Sequence, residues 1–328
     1  MSFPNSSQLA LLLLAAAHSV PLGAQALAQV AVAGQGYQLP SDTIIAAPGQ
    51  VLMISVFGVQ TRLAAPVKPN PGPDGLPTTV NGITADFVQR NLTVALPIRM
   101  LQQSACPSFG GCSPSTTLTV QIPYELKDDS LHPAAIRVKE GGYAVTEVKV
   151  KAVSDQVHIV NACDQTGIYL SLASDVPPGV CAPMIMHARG PLVSDRYPAV
   201  AGETLVVWAY GLGALSHPSG SPCCSTPDEV ARAAQPFTVN ATYRDAATGV
   251  YKRLETTEPA YVGMSGSGLY QVHVTAAGPP ANAERCGEGN GKVRITINGP
   301  SSADGAEICV GPNRWFNTTE LQNNFNSR

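Results

Sequence analysis

Apolar and polar residues alternate with a period of two along much of this chain, the spacing of a strand with one buried face. Residues 204–210, Thr-Leu-Val-Val-Trp-Ala-Tyr, predict a strand that Gly211 and Gly213 release into a loop. The same pattern stands earlier: Leu52, Ile54 and Val56 align with Leu205, Val207 and Ala209 at one constant offset, and Phe57-Gly58 aligns with Tyr210-Gly211. In the first half, Asn81-Gly82 between β-branched residues signals a hairpin. Residues 118–125 predict a strand that stops at Pro123, while 135–139 and 147–153 alternate apolar with charged residues about a Gly141-Gly142 turn. In the second half, residues 237–243, 270–275, 292–297 and 306–310 predict strands, the last two joined through Asn298-Gly299. Val120 and Ile122 align with Val272 and Val274, and Ile136 and Val138 with Val293 and Ile295. Six or seven short strands per half at this spacing predict an all-β protein, two tandem immunoglobulin-like β-sandwich domains.

The expected order is a signal peptide at 1–28, a flexible lead-in at 29–41, a first sandwich at 42–153, a connector at 154–195, a second sandwich at 196–311 and a tail at 312–328. Residues 167–172 and 182–188 predict the connector as a β-hairpin. After its first strand each half carries a long proline-bearing loop, at 60–78 and at 214–235. The tail holds Trp315, Phe316 and Phe325 among asparagines.

Composition supports strands over helices. Only 13% of the 328 residues are charged, about half the usual share. Glycine (30) and proline (28) are abundant, while 44% hydrophobic content is enough for real cores. A net charge of −3 offers no basic footprint, so nucleic acid is not an expected partner.

Residues 9–17 form a short apolar run followed by Ala26-Leu27-Ala28, a small-x-small site that predicts cleavage before Gln29. No later stretch is long and apolar enough for a transmembrane segment, so the expected product is secreted, periplasmic or extracellular. Eight cysteines agree with an oxidising compartment. Spacing predicts disulfides Cys106–Cys112, Cys163–Cys181 and Cys286–Cys309, which leaves the adjacent Cys223 and Cys224 as a strained pair. No Cys-x-x-Cys pair occurs, which argues against zinc.

Candidate chemistry is sparse. The segment 263–268, Gly-Met-Ser-Gly-Ser-Gly, holds Ser265 and Ser267, but neither lies in a Gly-x-Ser-x-Gly elbow and no helix pattern follows. A flexible turn is the expectation there. His187 and His273 sit in or beside predicted strands, as structural histidines do. His217 near Cys223 and Cys224 offers too few soft ligands for a metal, and Asp128-Asp129 and Asp304-Gly305 are explained by turn chemistry. No catalytic site, cofactor or metal is expected.

Four blocks carry a family resemblance. They are Ala47-Pro-Gly-Gln50 leading to Phe57-Gly58; residues 120–125; Gly167-Ile-Tyr169 through His187-Ala-Arg-Gly190 and 198–203 to Tyr210-Gly-Leu-Gly213; and Tyr261-Val-Gly263 with 268–274. In this order the chain resembles the bacterial Solibacter uncharacterised C-terminal domain family, itself similar to IPT/TIG-type immunoglobulin-like modules. The resemblance implies an exported sandwich protein and assigns no activity. The expected function is therefore a non-enzymatic interaction or structural module, whose partner is a protein or a cell-surface polysaccharide. The competing expectation is a secreted hydrolase with its site at the connector or at 263–268.

Overall fold

The computed structural model describes residues 28–32, 43–70, 76–104, 114–127, 132–164, 181–216, 232–266 and 269–311. Cys106, Cys112, Cys223, Cys224, His217, Ser267, Asp128, Asp129, the tail aromatics, residues 1–27 and residues 167–172 lie outside them. Among the described residues every regular element is a strand.

The first half contributes β1 (Ala28–Val32), β2 (Ile44–Ala46), β3 (Val51–Val56), β4 (Thr79–Val80), β5 (Ile83–Gln89), β6 (Leu92–Ala95), β7 (Ile98–Gln103), β8 (Thr116–Gln121), β9 (Ala134–Glu140) and β10 (Tyr143–Ala152). One sheet runs β1-β3-β8-β7 and the other β2-β10-β9-β5-β4, with β6 also on β5. The second half contributes β11 (His158–Ile159), β12 (Ile185–His187), β13 (Ala199–Val200), β14 (Thr204–Tyr210), β15 (Thr238–Arg244), β16 (Tyr251–Thr257), β17 (Tyr261–Gly266), β18 (Leu269–Thr275), β19 (Arg285–Gly287), β20 (Asn290–Asn298) and β21 (Ala303–Gly311). Its sheets run β11-β14-β18-β17, with β12 also on β14, and β13-β21-β20-β15-β16, with β19 on β20.

Both halves therefore share one strand order. The sheets built on β3 and β14 follow the A-B-E-D order of an immunoglobulin domain, and the facing sheets follow G-F-C. Each half also starts on the first sheet and then crosses over, so that β2 runs parallel to β10 and β13 parallel to β21. The fold is a tandem of immunoglobulin-like sandwiches.

Alternation builds each core. On β5, Ile83, Ala85 and Phe87 are buried while Thr84, Asp86 and Val88 face outward. On β20, Val293, Ile295 and Ile297 point inward, and Leu205, Val207 and Ala209 on β14 face them. The hairpin signals act as predicted: Asn81 and Gly82 have φ of 50° and 75°, and Gly141 and Gly142 have 57° and 87°. Two successive positive φ values define the type I′ turn, whose twist matches its flanking strands.

Four expectations need correction. Gln29 to Val32 is not part of a flexible lead-in, because β1 pairs with β3 and buries Ala28 and Val30. No separate connector exists in the described part of 154–195, where β11 and β12 both hydrogen-bond to β14 and so extend the second sandwich. A hairpin base does form, with the Ala162 N–H donating to the Ala182 carbonyl at 2.8 Å and the Met184 N–H to Val160 at 2.7 Å. Gly263 to Gly266 belong to β17, laddered onto β18 with a bulge after Met264, and do not make a turn. Finally, Leu52 pairs with Val120 whereas its counterpart Leu205 pairs with Val274, so Val120 corresponds to Val274, not to Val272. A slip of two residues keeps every side chain on its face, and alternation cannot detect it.

Candidate functional site

The loops that follow β3 and β14 lie at matching places in the repeat, and each is tied down by backbone ladders. In the first, Val67 and Leu101 of β7 exchange both backbone hydrogen bonds, at 2.7 and 2.9 Å. In the second, Leu215 bridges Ala233, and Arg232 bridges Gly263 of β17. Each loop thus folds back to the edge strand of its own sheet, supplying the partner that an open edge lacks.

Glu140, at the end of β9, fastens the first loop from the facing sheet. Its carboxylate accepts the Gln60 N–H at 2.8 Å and the Thr61 N–H at 2.6 Å. The Gln60 N–H, then the Thr61 side chain, holds the Glu140 pKa below the ordinary carboxylate value. Gln103 adds two bonds from below, accepting the Leu63 N–H and donating to the Thr61 carbonyl. The anchored loop exposes Gln60, Arg62 and Lys68 to solvent, with Tyr143 at 83% exposure on the neighbouring hairpin tip.

The histidines considered for catalysis are placed differently from a general base. His187, on β12, has Nδ1 at 3.0 Å from Glu203 Oε2 and Nε2 at 3.3 Å from the Tyr197 carbonyl. Burial alone would lower its pKa, but the Glu203 carboxylate outweighs burial and raises it. With an acceptor beside each nitrogen, the ring ties β12 to the 194–203 segment and is stabilised in its protonated form. His273, on β18, is shifted the other way by burial.

Pattern reading missed a more elaborate cluster. His158, on β11, has Nε2 3.0 Å from Asp164 and Nδ1 3.4 Å from Asp304 on β21, and its ring stacks parallel to Tyr210. Desolvation opposes the charge, yet bonds to Asp164 and then Asp304 raise the His158 pKa to about 9. Asp304 also accepts the Ile159 N–H at 2.8 Å, and Asp164 accepts the Asn161 N–H at 3.0 Å. The cluster joins the two sheets of the second sandwich and consumes its own hydrogen-bonding capacity, as a structural clamp does. No local sequence signal marks it, because Asp304 comes from a distant strand and the six-residue spacing of His158 and Asp164 fits no recognised motif.

Cys163 is disulfide-bonded to Cys181 and Cys286 to Cys309. Asp195 lies close enough to Cys286 and Cys309 for the three to suggest a metal site, but both sulfurs are spent in the disulfide and neither can be a thiolate ligand. Among the described residues, no helix is long and apolar enough to cross a membrane.

No family model and no curated protein sequence matches the chain. Solved structures overlap with it weakly. A titin A168–A169 fragment is 10% identical with a TM-score of 0.20, covering 83% of this chain and 95% of the fragment. The titin tandem A164-A165 is 9% identical with a TM-score of 0.18, covering 87% and 96%. The C-terminal domain of the Streptococcus agalactiae AgI/II polypeptide BspA is 8% identical with a TM-score of 0.20, covering 87% and 99%. Scores this low add nothing to the strand order, on which the immunoglobulin-like assignment rests.

Proposed function

We propose that this protein is an exported, non-enzymatic binding module, a member of the Solibacter-type family, which uses the loops after β3 and β14 to hold a protein or a polysaccharide of the cell envelope. The observation that carries the reading is the repeated loop placement: in both halves the same loop is laddered to the edge of a rigid sheet and presents exposed polar side chains. Binding residues commonly occupy loops held by such scaffolds. Exported sandwiches stapled by disulfides suit an oxidising compartment.

Pulldown from the envelope fraction of the source cells tests the proposal. Arg62→Glu with Lys68→Glu should abolish capture in the first loop, and Arg232→Glu should weaken it in the second. Each change is to a side chain, so the backbone bridges at Val67, Leu215 and Ala233, and that of Arg232 itself, are kept. Undiminished capture by the triple variant would overturn the loop assignment. An esterase, glycosidase and peptidase screen addresses the hydrolase reading, and turnover abolished by Ser265→Ala or His187→Ala would favour that reading instead.

A further inference from the structure

The sequence holds three Asn-Gly pairs, Asn81-Gly82, Asn290-Gly291 and Asn298-Gly299, and the fold treats them differently. An asparagine before glycine is open to attack on its own side chain. The glycine nitrogen closes a five-membered ring on Cγ, because glycine has no Cβ to block the approach and its backbone turns freely. How readily the ring closes depends on how firmly the surrounding backbone is held.

Two of the three pairs are locked. Gly291 is buried in β20, where it stands opposite Val310 on one side and Arg285 on the other, and a Cβ there would lie 2.7 Å from Pro279. Asn298 donates through Nδ2 to the Thr238 and Thr296 carbonyls. The Gly299 N–H, the nucleophile the reaction would need, donates to the Ser302 carbonyl at 2.8 Å. Asp155 closes over this glycine, with Oδ2 2.3 Å from where a Cβ would stand.

Asn81-Gly82 is the exception. Both residues are exposed at the tip of the β4–β5 hairpin, and nothing lies within 4 Å of a Cβ on Gly82. The Asn81 side chain makes no hydrogen bond among the described residues. The bond that closes a β-turn joins its first residue to its fourth, which leaves the Gly82 N–H outside it. Because β4 is only two residues long, opening this turn sacrifices little pairing.

The turn is also braced against the anchor of the first loop. The Gly141 N–H donates to the Gly82 carbonyl at 2.9 Å, and Ile83 stands opposite Glu140, whose carboxylate holds the Gln60 and Thr61 N–H groups.

We propose that Asn81 is a site of spontaneous deamidation, and that its conversion to isoaspartate loosens the loop that Glu140 anchors. The Gly82 nitrogen bonds to Asn81 Cγ, the Cγ–Nδ2 bond breaks, and the backbone amide proton leaves with Nδ2 as ammonia. Water then opens the succinimide at either carbonyl, giving aspartate or isoaspartate. Isoaspartate routes the main chain through Cγ and so adds one methylene. A two-residue type I′ turn cannot absorb that without disturbing the register of its strands, and Ile83 then loses its place against Glu140.

The full-length protein, kept warm at mildly alkaline pH and sampled over time, tests this by peptide mass mapping, with enzymatic methylation of isoaspartate as a second readout. The peptide holding Asn81 should exchange its amide for an acid, and accept methyl groups, at least about tenfold faster than those holding Asn290 or Asn298, whose ladders must first open. Amide hydrogen exchange at Gln60 and Thr61 should quicken in the aged protein. Both effects should be lost in Asn81→Gln, where the ring would need six members. Neither readout depends on a partner, and the three asparagines are compared within the parent protein.

No conversion at Asn81, or equal conversion at all three asparagines, would overturn the site. Conversion at Asn81 with unchanged exchange at Gln60 and Thr61 would overturn its coupling to the loop.

Discussion

Gly58 and Gly211 end the β3 and β14 strands at matching places, and both adopt positive φ, 88° and 71°. Their surroundings differ. A Cβ on Gly58 meets nothing within 4 Å, whereas one on Gly211 would lie 1.9 Å from the Gln156 carbonyl oxygen. Gly58→Ala should cost only the left-handed backbone conformation, about 1 kcal/mol. Gly211→Ala adds a backbone clash and should cost about 3 kcal/mol or more, and equal shifts of the two urea midpoints would refute the distinction. His158 provides a second test at this scale. Its folded pKa of about 9 stands above the ordinary 6.5, so its stabilisation is complete below pH 6.5 and disappears as pH rises through 9. The shift corresponds to about 3 kcal/mol. Asp304 is displaced the opposite way: burial opposes its charge, but the His158 hydrogen bond prevails and keeps its pKa below 3.8. Its contribution is therefore present above that value and lost on acidification. Urea unfolding from pH 6 to 10 should show stability falling in the parent protein and a flatter profile in His158→Gln; parallel profiles would mean the imidazolium does not hold the sheets.

At the scale of elements, what was legible in the sequence depended on whether a strand has one wet face and one dry face. The expected strand at 135–139 lies within β9 because it sets branched apolar residues against charged ones, whereas the strand at 204–210, which coincides with β14, shows as a near-continuous apolar run closed by Gly211. The strand β16 left no such trace. It is the edge of its sheet, exposed along most of Tyr251–Thr257, and its Tyr-Lys-Arg-Leu-Glu-Thr-Thr pattern carries no period. Its charges instead discourage pairing with other chains. The short strand β11 was illegible for another reason: two residues are too few to display alternation, and only β14 makes them a strand, whereas β12 lies within the expected strand at 182–188 and only its pairing with β14 went unread. The loops were visible from their prolines, but their return to β7 and β17 depends on single backbone bridges that no residue type announces. Disulfides act at the same scale. Cys286–Cys309 joins β19 to β21 across β20 with a sequence separation of 23. A loop of that size is worth about 3 kcal/mol by chain entropy. Replacing both cysteines with alanine should lower the unfolding free energy by that amount, and an unchanged urea midpoint would show that the β-ladder alone holds the last two strands.

The two sandwiches meet without a slack linker. The Ala152 end of β10 and the His158 start of β11 are separated by residues 153–157, and nearly every one of these is bonded. The Val153 N–H reaches back to Ala46 in the first half, while the Gln156 N–H reaches the Gly211 carbonyl in the second. Asp155, 1% exposed, accepts from the Ser301 N–H and the Ser302 hydroxyl, and Ser302 in turn accepts the Val157 N–H. Side chains also cross the junction. Tyr124 of the first half packs on the second core and hydrogen-bonds Tyr270, whose hydroxyl donates to the Gly213 carbonyl at 2.7 Å. Reciprocally, Val160, Met184, Tyr210 and Leu269 of the second half belong to the first apolar cluster. Inter-domain surfaces that are small and polar allow relative motion, whereas a continuous apolar seam resists it. The tandem should consequently melt as one unit, with a single calorimetric transition whose van't Hoff and calorimetric enthalpies agree. Tyr124→Ala removes the ring from the second core and its hydrogen bond to Tyr270, so it should split that transition in two while leaving each sandwich folded. Two transitions already present in the parent protein would mean that the shared cluster does not couple the halves, and the loops after β3 and β14 would then have to engage a partner independently.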